Sequence, residues 1–192
     1  MGGEPSAPRR PSNNRGGGGS VLLLTGPPGA GKSTVARTVA ARFERSVHVE
    51  ADRFYGFVVG GYIDPWEHGA HDQNVVAVEI ACDAAARWAE VGYVTILDGI
   101  FIPGWFFEPA IDRLHARSLD VSAAILRPSV ATTIARARAR VPPKRLPDEV
   151  LERLWRGFDD LGPLERHVID NGEETAERTA DRVLAALASP AV

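Results

Sequence analysis

Val21-Leu22-Leu23-Leu24-Thr25-Gly26-Pro27-Pro28-Gly29-Ala30-Gly31-Lys32-Ser33-Thr34 joins an apolar run to a complete Gly-x-x-x-x-Gly-Lys-Ser loop. The run predicts a buried first strand, and the positions from Thr34 to Phe43 predict a helix. A strand, a glycine-rich turn and a helix in that order are the context in which this motif binds a nucleoside triphosphate. Small residues let successive backbone N–H groups curl round an anionic phosphate, and the helix start near Lys32 turns its positive end to the same point. Gly26, Pro27, Pro28, Gly29, Ala30, Gly31 and Thr34 then form the cradle, Lys32 reaches the β- and γ-phosphates, and Ser33 holds Mg2+. A glycine turn without a ligand is the alternative, and the flanking strand and helix weigh against it.

The chain has 192 residues, which suits one domain, and a fold of this size buries about 70% of the unfolded surface. Its net charge is −3, so it lacks the broad basic field of a duplex-nucleic-acid binder. Cys82 is the single cysteine and lies in an apolar helical pattern, which excludes an internal disulfide or a zinc cluster and marks a core thiol. Among 22 basic residues only Lys32 and Lys144 are lysines. Against that arginine bias, Lys32 fits the loop's need for a slim point charge on a flexible stem.

Residues 1–19, rich in Pro, Gly, Ser, Asn and Arg, offer no periodic apolar surface to offset ordering and are expected to form a disordered tail. Residues 20–192 are read as one domain. No apolar segment of about 18 residues occurs, so a cytoplasmic protein with no membrane partner is expected. Further strands are predicted at Ser46–Glu50, Tyr93–Leu97, Val121–Leu126 and His167–Asp170. Helices are predicted over 74–91, 103–117, 129–140 and 174–188, with another resuming at Asp148 as N-cap. Phe57 to Asp72 reads as a long loop. Strands alternating with helices imply an α/β fold whose parallel sheet is covered on both faces. Ligands bind beyond the carboxyl ends of such strands, which directs attention to the phosphate loop, Asp52, Asp98, Arg127 and Asn171.

From about Val21 to Leu187 the chain resembles the small P-loop kinases of the nucleoside-monophosphate-kinase-like group, which includes shikimate and gluconate kinases and chloramphenicol phosphotransferase. The phosphate loop carries the resemblance. Asp52, Asp98 and the arginine-rich segment from Arg136 to Arg145 add to it. The resemblance implies a three-layer P-loop NTPase fold with a five-stranded parallel sheet in the order 2-3-1-4-5 and a helical lid at about 136–148. The run Val49-Glu50-Ala51-Asp52 looks most like antibiotic and small-metabolite phosphotransferases, including the capuramycin type. Arg127 and Asn171 match approximately the positions where the family places adenine. ATP is expected rather than GTP, because no Asn-Lys-x-Asp guanine motif occurs.

Asp52, beyond the second strand, is expected to orient or deprotonate an acceptor hydroxyl; capping a short helix over 53–57 is its other reading. Asp98 is expected either to hold Mg2+ with Ser33, to bind acceptor hydroxyls, or to serve an Asp-Gly turn. Arg136 and Arg140 share a helix face while Arg138 points roughly 160° away, so the first two are expected to stabilise the transferring phosphoryl group. The aromatic segments after strands two and three are expected to flank the acceptor. Tyr55, Trp66, Phe101 and Trp105 would supply ring surface, and Arg53, Asp72, Gln73 and Asn74 polar contacts.

The sequence therefore predicts an ATP- and Mg2+-dependent O-phosphotransferase acting on a hydroxylated small molecule, as a monomer or homodimer. A resistance enzyme acting on an antibiotic is one form. A sugar or metabolite kinase, a partner-regulated NTPase switch and a polynucleotide 5′-kinase are the alternatives.

Overall fold

A computed structural model describes residues 19–139 and 146–187. Five strands, β1 (Ser20–Thr25), β2 (Ser46–Glu50), β3 (Val94–Asp98), β4 (Asp120–Leu126) and β5 (Val168–Ile169), form one sheet in the order β2-β3-β1-β4-β5. Every pairing is parallel, and the order is the one the resemblance implies. The central β1 explains itself chemically, since its side chains leave the sheet alternately to two covered faces. Val21 and Leu23 enter one apolar core with Val49, Leu97 and Val121, against α2 (His71–Glu90) and α3 (Phe107–His115). Leu22 and Leu24 enter a second core with Ile96, Leu126 and Val183, against α1 (Lys32–Ala40) and α6 (Ala176–Leu187). Leu23 and Leu24 are wholly buried, and each such side chain contributes about 1.5–3 kcal/mol by leaving water.

Two further helices, α4 (Val130–Arg138) and α5 (Asp148–Arg156), stand on either side of residues 140–145. Arg140, Lys144 and most of the expected tail, residues 1–18, lie outside the described residues. Gly19, assigned to the tail from composition, is buried in the fold: its carbonyl accepts the Asp120 N–H at 3.1 Å. A Cβ there would sit 2.1 Å from the Ala89 carbonyl oxygen, so this close approach requires glycine. No helix among the described residues is long and apolar enough to cross a membrane.

The termini of elements shift for identifiable reasons. The strand of β3 continues through Asp98, because the ladder with β1 pairs Leu24 with Asp98. The helix α2 begins three residues before the expected Asn74, at His71. Its first turn clasps the long loop: Gln73 donates to the Ile63 carbonyl at 2.6 Å and accepts its N–H at 3.0 Å, while Asn74 donates to the Pro65 carbonyl at 2.8 Å. Gln73 and Asn74 thus hold backbone in place, where the sequence suggested contacts to an acceptor. Asp148 is the first helical residue of α5, with Pro147 at the N-cap position. Residues Gly162–His167 form a 3₁₀ segment that the sequence pattern did not reveal.

Candidate active site

At the carboxyl end of β1 the loop turns sharply through three glycines with positive φ, Gly26 at 145°, Gly29 at 90° and Gly31 at 89°. Two of them also lie against backbone. A Cβ on Gly26 would approach the Leu126 carbonyl oxygen to 2.1 Å, and one on Gly29 the Thr133 carbonyl oxygen to 2.3 Å. No side chain caps the start of α1, so the loop's end of the helix keeps backbone donors of the kind an anion site uses. The Lys32 ammonium donates to the carbonyls of Gly26 and Pro27 at 2.9 and 3.1 Å and is nearly buried. Its flexible stem allows it to exchange these carbonyls for phosphate oxygens.

In the first turn of α1, the Ser33 hydroxyl lies 3.4 Å from Oδ1 of Asp98, the last residue of β3. Asp98 is buried, and its second oxygen lies 2.5 Å from Nε2 of His48 on β2. No group of three or more His, Cys, Asp or Glu suited to a metal occurs among the described residues. A hydroxyl and a single carboxylate oxygen nevertheless match the chemistry of Mg2+, which keeps most of its shell for water and phosphate oxygens. Beside them, Glu50 binds Arg37 of α1 and receives Arg53 Nε at 2.8 Å. Burial raises the Glu50 carboxyl, but the hydrogen bonds and charges of Arg53 and Arg37 outweigh it and leave the group below its ordinary value. Arg53, expected at the acceptor, is therefore already engaged by Glu50.

Asp52 is exposed in the first turn of the 3₁₀ segment Ala51–Phe57. Because β2 and β3 run in register with Glu50 opposite Asp98, Asp52 stands two residues past the end of the strand that pairs with Asp98. Its charge reaches two phenols: Tyr55 is pushed well above its ordinary value by burial first, then by Asp52 and Tyr62. Tyr62 is raised by burial, by the charge of and hydrogen bond to Asp64, and by Asp52. Trp66 is half-buried, and its carbonyl accepts from Arg153 of α5 at 2.8 Å. Trp105 is 40% exposed and stacks on Phe106 at 4.3 Å and on His71 at 6.5 Å. Asp72 is exposed in the first turn of α2.

Phe101 departs from its expected place on the acceptor wall. It is 1% exposed in the core, and its backbone exchanges two hydrogen bonds with the Thr25 hydroxyl, at 2.9 and 3.1 Å. The Arg127 guanidinium donates to the carbonyls of Phe158 and Asp159, both at 2.9 Å, and pairs with both oxygens of Glu165 at 2.7 and 2.8 Å. This fork clamps the end of β4 to residues 158–165 and engages the guanidinium within the protein.

Arg136 lies beside the glycine loop. It donates to the carbonyls of Asn171 and Gly172 at 3.1 and 2.9 Å, while Asn171 donates to the Ala30 carbonyl at 2.9 Å. Arg136 and Asn171, together with Gly29, Gly31, Thr34 and Thr179, line a cleft of about 300 Å³. Oδ1 of buried Asn171 has no hydrogen-bond partner among the described residues, which suits a site that receives a donor from a ligand. Arg138 turns the other way and pairs with Asp148, its Nε lying 3.1 Å from Oδ1, so it ties α4 to α5.

A family model described as an AAA domain matches residues 21–161. The chain belongs to this AAA domain family. No curated protein matches it. Several solved structures share the fold of this AAA domain. The tunicamycin resistance protein of Deinococcus radiodurans aligns with a TM-score of 0.66 at 19% identity, over 87% of this chain and 94% of its own. A sugar kinase from Janibacter sp. HTCC2649 gives 0.63 at 20% identity, over 89% and 95%. The Mycobacterium tuberculosis APS kinase in complex with AMPPNP and APS gives 0.63 at 15% identity, over 90% and 99%. At these identities the likeness shows a P-loop kinase-like fold.

His48 and Glu50 were missed from the sequence. The alternation of β2 would have placed them on one face, but only the pairing of β2 with β3 reveals that this face meets Asp98.

Proposed function

We propose that this AAA domain is an ATP-dependent O-phosphotransferase that moves the γ-phosphoryl group of Mg-ATP to a hydroxyl of a small molecule. The observation that carries the reading is the juxtaposition of two strand ends: Asp98, which ends β3 within reach of Ser33 of α1, and the exposed Asp52 two residues beyond Glu50, the last residue of β2 and the register partner of Asp98. The phosphate loop and Lys32 hold the triphosphate, and Arg136 and Asn171 border the cleft that takes adenine. Ser33 and Asp98 hold Mg2+, which neutralises charge on the phosphate oxygens. Asp52 accepts the proton of the acceptor hydroxyl as that oxygen bonds to the γ-phosphorus and the bond to the β,γ-bridging oxygen breaks, releasing ADP.

The acceptor side presents Phe57, Val59, Tyr62, Ile63 and Trp105 as exposed apolar surface, which favours an amphipathic acceptor with ring surface. An antibiotic of that character, phosphorylated in resistance, fits this surface, and one similar fold is a tunicamycin resistance protein. The test is a mass-spectrometric screen for gain of one phosphate across antibiotics, nucleosides and sugars incubated with protein and Mg-ATP. At least one hydroxylated compound is expected to gain a phosphate, and Asp52→Asn to lose that product. Nucleotide turnover that rises with a partner protein and yields no phosphorylated acceptor would replace this reading with that of a switch NTPase.

A further inference from the structure

We infer that His48 is a positioning residue that fixes the Asp98 carboxylate for metal binding. The inference rests on the reading that Asp98 and Ser33 hold Mg2+. Strand alternation sends Val49 into the core against α2, which leaves His48 and Glu50 on the opposite face of β2, the side of α1 on which Arg37 meets Glu50. His48 pairs in register with Ile96, two residues before Asp98, and its ring reaches diagonally along that face to Asp98 Oδ2 at 2.5 Å. A carboxylate oxygen only accepts, so Nε2–H is the donor. The other ring nitrogen lies 4.0 Å from Glu50 Oε1.

The result is a directed chain of side chains. With Oδ2 held by His48, Asp98 has Oδ1 turned to the Ser33 hydroxyl, 3.4 Å away. A carboxylate free to rotate about its final bond would divide its orientations between sheet and loop; this one is held in a single orientation before any ligand arrives. Both side chains of the contact are nearly buried, at 11% and 5% exposure, so solvent does not compete for Oδ2. Partners that orient a metal-binding side chain in this way typically govern metal affinity by about 10–100-fold. His48 touches neither nucleotide nor acceptor in this arrangement, and it acts through Asp98 alone.

The test is a fluorescence titration of a fluorescent ATP analogue, with Mg2+ varied and with EDTA as the metal-free reference. His48→Ala is expected to raise the Mg2+ concentration at half-maximal binding by about tenfold or more and to leave analogue affinity in EDTA within about twofold. His48→Gln, whose amide can donate in place of Nε2–H, is expected to recover most of the loss. If the alanine variant does not fold, His48→Phe, which keeps the ring volume without a donor, takes its place against His48→Gln. A donor-free variant with wild-type Mg2+ dependence overturns the inference, as does an equal loss of affinity with and without Mg2+. Wild-type protein that binds the analogue with no Mg2+ dependence overturns instead the reading on which the inference rests.

Discussion

Replacing Gly29 by alanine separates two costs that the phosphate loop imposes together. A non-glycine residue in the left-handed region costs about 1–2 kcal/mol, and Gly29 has φ of 90°. Its new Cβ would also stand 2.3 Å from the Thr133 carbonyl oxygen and 3.4 Å from the Ala137 Cβ. The carbonyl belongs to the backbone of α4 and cannot swing aside, so a further about 1–3 kcal/mol of overpacking is expected. Gly104 supplies the control: its φ is 76°, and a Cβ there meets nothing within 4 Å. Urea unfolding of Gly104→Ala should show a loss of about 1–2 kcal/mol with nucleotide affinity unchanged. Gly29→Ala should lose about 2–5 kcal/mol, or retain stability by shifting the loop and then bind an ATP analogue at least about tenfold more weakly. Equal stability of the two variants together with wild-type nucleotide affinity in both would refute the reasoning.

Arg127→Ala should cost about 1–3 kcal/mol of stability, because it strips donors from the Phe158 and Asp159 carbonyls, while nucleotide affinity stays within about twofold. Unchanged stability with a large loss of nucleotide affinity would return Arg127 to the adenine site. Glu50, held below its ordinary value of 4.5, contributes stability that is complete above that value and is lost as pH falls toward the folded one. Urea midpoints measured downward from neutral pH should therefore fall less steeply in Glu50→Gln, and an identical slope would contradict the assignment. Burial pushes the Cys82 thiol up to about 12, so a thiol reagent at pH about 8 should label the protein only after unfolding; rapid labelling of native protein would contradict its burial.

The parts of the fold governed by periodicity were legible in the chain itself. The apolar run Val21 to Leu24 and the glycine spacing of 26–31 placed the buried first strand and its loop, because both patterns are local. Strand order was supplied by resemblance, since no residue of β2 announces which neighbour it will pair with. The site was legible only where a motif carried it. Arg127 and Arg136 look alike in sequence, yet one closes a clamp on Glu165 and the other borders the cleft; the difference lies in how residues 158–172 pack, to which neither arginine's own surroundings in the chain point. Phe101 was assigned to the acceptor wall because it follows a strand, whereas the Thr25 hydroxyl turns its backbone inward. Gln73 and Asn74 were polar at a helix start, and the loop they clasp was aperiodic, so nothing local showed the contact. His48 went unnoticed for a third reason: a lone histidine on a strand acquires a role only through register.

The central claim is that the glycine loop grips a triphosphate through Lys32 and the start of α1, with Ser33 and Asp98 beside it for Mg2+. Isothermal titration of the whole chain with a non-hydrolysable ATP analogue, with and without Mg2+, tests it most directly. Saturable binding that strengthens with Mg2+ and disappears in Lys32→Ala is the predicted result. Absence of binding to wild-type protein, or binding indifferent to both Mg2+ and Lys32, would contradict it.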